Sequence, residues 1–164
     1  MTVHLACEHP RGASVARRLR ARAAAFLAAL GQGEAELSVL LVTDGRIRAL
    51  NRAWRGKDRA TDVLSFPLSE PAGNGPLLGD VVISLDTASR RARAEARPVS
   101  RELDRYLAHG LLHLLGYDHE RAEDAREMAA KEAELARGEG LVGAALGVAP
   151  GRAARGRRAG KKKG

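Results

Sequence analysis

"RELDRYLAHGLLHLLGYDHE", residues 101–120, decides how the chain is read. Its first sixteen residues put Leu103, Leu107, Leu111 and Leu114 on one stripe at helical spacing, and no formal charge falls between Tyr106 and Tyr117. That pattern predicts a central, mostly buried helix. His109 and His113 interrupt the apolar run four residues apart, and at about 100° per residue they project from one face, one turn apart. Gly116 falls where a glycine can take the left-handed conformation and end the helix, so the chain can fold back and bring His119 to the same point. Three neutral imidazoles suit a divalent cation, Zn²⁺ above all, with a fourth tetrahedral position left to water. The plain alternative is three histidines satisfied separately near a core. The i, i+4, i+10 spacing with glycine at i+7 favours the metal.

Metzincin metalloproteases share this spacing but need a Glu directly after the first histidine as general base. Gly110 stands there instead. A metal site without the peptidase's base leaves water to be activated by the metal and another group. Asp118, adjacent to a ligand, is the candidate, either as that group or as a partner that orients an imidazole.

Working outward, residues 2–7 are β-prone, and Val15, Leu19, Ala23, Phe26 and Leu30 sit at helical spacing before Gly31 stops the helix. "ELSVLLVTD" (36–44) reads as a strand buried on both faces. Asp44 is expected to cap a helix whose buried side is Ile47, Leu50 and Trp54. The turn "RGKDRAT" (55–61) leads to a strand at Val63–Phe66, with Pro67 marking an edge or an ending. "LLGDVVIS" (77–84) is another strand, with Asp80 placed before it, followed by a helix from about Asp86 to Ala96. Pro98 breaks that helix, Ser100 is expected to cap the next, and a charged helix over about 120–137 closes the domain. This order implies an α/β (α+β) protein with a small mixed four-stranded sheet flanked by about five helices and a metzincin-like zinc helix.

The length of 164 residues suits one domain, assigned to 1–148. Apolar residues at 45% and charged residues at 29% exclude a disordered or membrane-embedded chain. Of the 28 Lys and Arg, seven lie in residues 151–164 with no acid beside them, so the preceding residues hold 21 bases against 20 acids, a net of +1. The basicity is mostly a tail. Residues 149–164 are expected to be disordered, serving either as a solubilising end or as a contact for phosphates. The single cysteine, Cys7, excludes an internal disulfide and suits a reducing compartment. The opening residues lack a signal-peptide pattern and no apolar run approaches the ~18 residues of a membrane span, so a cytoplasmic, non-membrane protein is expected.

At "HGLLHLLGYDH" the chain resembles the YbeY family of zinc-dependent endoribonucleases, the rRNA maturation factors of bacteria. "NRAWRGKDRATDVLSFPL" (51–68) is similar to the family's second signature and "LLGDVVIS" to its third; together the likeness runs from about residue 36 to 135. The resemblance implies one zinc ion held by His109, His113 and His119, a functional arginine at Arg55, and a mixed sheet flanked by helices. It also implies processing of ribosomal RNA, at the 3′ end of the small-subunit species, ribosome quality control, and single-stranded RNA and the small subunit or its proteins as partners. After Leu135 the chain departs from the family, whose members usually finish soon after the last helix.

The substrate class has its own chemical support. Cleaving a phosphodiester builds negative charge on the phosphoryl oxygens, and a dication with the Arg55 guanidinium, plus Lys57 nearby, is a suitable clamp. An exposed loop arginine is the plain alternative for Arg55. Trp54 is expected in the core rather than as a base-stacking platform. Asn51, Asp62, Ser65 and Asp80 are expected to support the cleft; otherwise Asp62, Ser65 and Asp80 satisfy turn and strand-end amides and Asn51 sits on a helix surface. The arginines of the outer helices (Arg17, Arg20, Arg90, Arg91, Arg93) are solvated faces by default and an RNA-facing surface otherwise. A zinc peptidase and a non-catalytic ribosome-assembly factor with a structural metal are the competing readings.

Overall fold

The computed structural model describes residues 2–68, 77–117 and 120–137. Four strands, β1 (Thr2–Cys7), β2 (Glu36–Val42), β3 (Val63–Pro67) and β4 (Leu77–Ser84), form one sheet in the order β1-β2-β4-β3. The first three neighbours run parallel, and β3 pairs antiparallel with β4 at the edge. The helices are α1 (Ala13–Ala29), α2 (Asp44–Arg55), α3 (Leu85–Ala94), α4 (Val99–Leu114) and α5 (Ala122–Arg137). The α/β class and the four-stranded mixed sheet are therefore as expected.

Alternation along the strands assigns the two faces. Leu37, Val39 and Leu41 of β2 and Val81 and Ile83 of β4 join the larger apolar cluster with Leu19, Phe26 and Leu27 of α1 and Leu103, Leu107 and Leu111 of α4; Met128 and Leu135 of α5 complete it. The opposite face carries a small cluster, Val42, Ile47, Leu64 and Val82, under α2. The strand 36–42 is thus not buried equally on both faces: Ser38 and Leu40, on the α2 side, are half-buried.

Trp54 departs furthest from expectation. Ile47 is buried, but Trp54 is 71% exposed and meets Phe66 edge-on with ring centroids 6.2 Å apart. Its register with Ile47 is correct; the last turn of α2 lies beyond the small cluster that buries the first. Two caps and one strand position also differ. Thr43, not Asp44, caps α2, its hydroxyl accepting from the Arg46 amide, which leaves Asp44 in the first turn with its carboxylate available to other elements. Pro98, not Ser100, precedes α4, because proline has no amide to leave unsatisfied and already has the extended ψ of a cap. Asp80 lies within β4, opposite Phe66.

Candidate active site

The helix α4 is positioned by a close approach to the sheet. A Cβ at Gly110 would lie 2.7 Å from Val81 Cγ1, 3.1 Å from Ser65 Oγ and 3.2 Å from Val63 Cγ2, so only glycine fits between α4 and the β3–β4 pair. Ser65 fixes the contact, its buried hydroxyl donating to the Gly110 carbonyl at 3.0 Å. The residue before this contact is His109 and the residue three further on is His113. Their rings meet edge to face, centroids 4.7 Å apart and planes at 80°, which is the shared face the spacing predicted.

The end of α4 is also as predicted. Gly116 has φ +97°, its amide donates to the His113 carbonyl at 3.0 Å, and the Tyr117 amide reaches back to the Leu112 carbonyl at 3.0 Å. This pair of reversed bonds is a Schellman closure, which turns the chain out of the helix at the point the metal reading requires. Asp118 and His119 themselves lie outside the described residues, as does the basic tail.

Glu132, which the sequence reading missed, completes what is described of the histidine site. Its Oε2 lies 2.6 Å from His109 Nδ1, across the α4–α5 contact. A carboxylate on one ring nitrogen fixes the tautomer and directs the other nitrogen, Nε2, as a donor toward a cation, the common arrangement behind metal-bound histidines. Among the described residues no group of three or more His, Cys, Asp or Glu gathers around one point. The donor chemistry of the pair fits a borderline-soft divalent ion, and His119 is the residue that would complete the set.

Arg55 enters from the other side of β3. The Ser84 amide donates to the Asp62 carbonyl and the Leu68 amide to the Leu78 carbonyl, so by antiparallel alternation the Ser65 carbonyl points to the free edge. Arg55 Nη2 donates to it at 3.3 Å. Ser65 thereby joins Arg55 to the turn of α4 that carries His109. Asn51 is buried and its Nδ2 donates to the Arg59 carbonyl at 3.0 Å, bracing the turn that presents exposed Lys57. Asp62 accepts from the Val63 amide at 2.8 Å and from Arg91 at 3.3 Å, the turn role considered for it. Asp80 is exposed and faces away from α4, in the groove on the opposite side of the sheet. Of the outer arginines, Arg90 binds Asp44 and Arg91 binds Asp62, while Arg20 lines the opposite groove. The structure brings His109 and His113 together and links Arg55 to their helix only through Ser65, while Asp80 lies apart.

Comparison with known proteins gives the family. Residues 11–138 match the family model described as Endoribonuclease YbeY. A protein of Anaeromyxobacter sp. (strain Fw109-5) named Endoribonuclease YbeY is 80% identical over 146 residues, covering 89% of this chain and 76% of that protein. One of the same name from Thermus thermophilus is 50% identical over 117 residues, covering 70% of this chain and 83% of its own. A solution structure from Thermotoga maritima superposes with a TM-score of 0.61 at 28% identity, over 88% of this chain and 92% of that one. The class is that of α/β endoribonucleases with a histidine pair on the central helix. The family model spans most of the chain, and the chain belongs to the endoribonuclease YbeY family.

Proposed function

We propose that this chain, a hydrolytic endoribonuclease by family, is zinc-dependent and cuts single-stranded RNA, maturing the 3′ end of small-subunit rRNA and serving ribosome quality control in the cytoplasm, in contact with the small subunit or its proteins. The observation that carries the reading is the His109–His113 pair, backed by Glu132, one residue from the Gly110–Ser65–Arg55 junction. His109, His113 and His119 would hold the ion. When bound, zinc supplies a Lewis acid and lowers the pKa of water.

The rest is done by side chains. Arg55 gives one N–H to the Ser65 carbonyl and keeps further donors for the phosphoryl oxygens, where charge builds in the transition state. Lys57 adds a second positive charge, Asn51 holds the turn that carries it, and Ser65 sets the distance between arginine and histidines. Asp118 orients an imidazole from beside His119. Gly110 opposes a peptidase, since the position of that enzyme's base has no room for a side chain. No described helix is long and apolar enough to cross a membrane.

His113→Ala is expected to lose zinc and abolish cleavage of single-stranded RNA, measured by metal analysis and gel assay; full-rate cleavage by metal-free protein overturns the reading. Arg55→Ala is expected to lower kcat by about 10²-fold or more with zinc content and Tm unchanged. Equal loss of zinc in that variant would instead mark a structural metal in a non-catalytic factor. Mapping the new RNA ends separates water attack from attack by the RNA's own 2′-hydroxyl, which leaves a cyclic phosphate.

A further inference from the structure

A polar pocket of about 330 Å³ lies between the turn at residues 59–62 and α3, lined by Arg59, Thr61, Asp62, Thr87, Arg90 and Arg91. Its guanidinium groups outnumber its carboxylate partners. Arg90 is paired with Asp44 and Arg91 with Asp62, while Arg59 makes no ion pair among the described residues. Asp86, the next carboxylate, is already engaged by the His9 ring at 2.7 Å and the Asp44 amide at 2.8 Å. Two threonine hydroxyls also line it, but each already donates its proton, Thr61 to Asp62 at 3.3 Å and Thr87 to Asp44 at 2.8 Å, so the guanidinium groups are what suit the pocket to an oxyanion.

The pocket also adjoins the strand on which α4 packs: Asp62, which lines it, precedes Val63, whose Cγ2 lies 3.2 Å from a Cβ built on Gly110, next to His109. Tyr106, one turn before Gly110 on α4, is buried with its hydroxyl unpartnered among the described residues, and burial, followed by the Glu102 charge, raises its pKa. Tyr106, His109 and His113 fall at i, i+3 and i+7, within about 60° of one another around α4. Seven residues at about 1.5 Å each place His113 about 10 Å further along the axis. That is roughly three stacked nucleotides at about 3.4 Å each, and fewer in an extended strand.

We infer that the pocket between the 59–62 turn and α3 is a second phosphate subsite, which grips the RNA backbone a few nucleotides from the scissile bond and so sets the register of the strand along α4. The inference rests on the RNA reading above. Arg59 contributes the main contact, Arg91 adds the donors left over from its 3.3 Å bond to Asp62, and Arg90 is held back by the closer Asp44.

The test is binding of a single-stranded RNA oligonucleotide to the full chain across a salt series, comparing wild type with R59Q/R91Q and R59K/R91K. One lost phosphate contact is expected to lower the slope of log K against log salt by about 0.7 in R59Q/R91Q and to weaken Kd several-fold, with R59K/R91K keeping the wild-type slope. Unchanged slope and Kd in R59Q/R91Q, at a wild-type Tm, overturn the subsite. A pocket that takes only small anions would show wild-type Tm rising with inorganic phosphate, no such rise in R59Q/R91Q, and an unaltered RNA slope; that result also overturns it. Cleavage of the same RNA by the unaltered protein, scored separately, tests the parent reading alone.

Discussion

The two faces of the sheet are held on by different forces. Toward α4 the strands bury Leu37, Val39, Leu41, Val81 and Ile83 in one continuous apolar cluster. Toward α2 burial is slight, and the attachment is a polar latch: Asp44 accepts from Ser84 Oγ at 2.7 Å and Thr87 Oγ1 at 2.8 Å and pairs with Arg90, while Asp86 accepts from the Asp44 amide. The α2 side also holds a concavity of about 890 Å³, mostly apolar, with Trp54, Phe66, Leu40 and Val82 among its walls. The histidine pair lies on the other side. On the proposed reading the chemistry lies with the histidines on the closely packed face and not in that concavity, because reacting groups must be held to within fractions of an ångström.

Gly110→Glu strikes that packed face hardest. A carboxylate forced against Val81, Ser65 and Val63 is expected to cost about 3 kcal/mol or more and to create no peptidase activity, read by chemical denaturation and a peptide assay. A stable variant that cleaves peptides would reverse the account of Gly110. The faces are compared directly by two truncations. Leu107→Ala, fully buried, is expected to cost about 3 kcal/mol, and Trp54→Ala about 1 kcal/mol or less. Equal losses would show that the α2 face is as packed as the other.

A third comparison separates the faces by pH. Burial works to raise the Asp44 pKa, but hydrogen bonds from Arg90, Ser84 and Thr87 outweigh it and hold the carboxyl below its ordinary value. Asp86 is held low in the same way, with the His9 ring and the Asp44 amide opposing burial. A folded pKa below the unfolded one means the stabilisation is complete above about pH 4 and fades as pH falls through the lower folded value. Asp44→Asn is therefore expected to cost about 2 kcal/mol near neutrality, with the gap to wild type narrowing below pH 4. Amide exchange in α2 should rise first on acidification; a uniform rise across α2 and α4 would erase the distinction.

The sequence was most legible where local chemistry decides. The leucine stripe of α4, the shared face of His109 and His113 and the turn at Gly116 follow from helical period and glycine conformation, and the structure has all three. Legibility failed where distant residues decide. Gly110 reads along the chain as a missing base; its steric reason lies in Val63, Ser65 and Val81, which no local window contains. Glu132 is 23 residues from the ring it meets. Trp54 has a core residue's register, yet periodicity says nothing of where the sheet ends beneath a helix.

The bond from Arg55 to the Ser65 carbonyl has one more consequence, for solubility. An edge strand offers unpaired backbone groups to any other extended chain, and β3 is such an edge. With five residues, Pro67 at its end and a guanidinium already on its central outward carbonyl, it presents a poor template for a second copy. The arginine proposed for phosphate would thus also guard this edge against sheet-to-sheet joining.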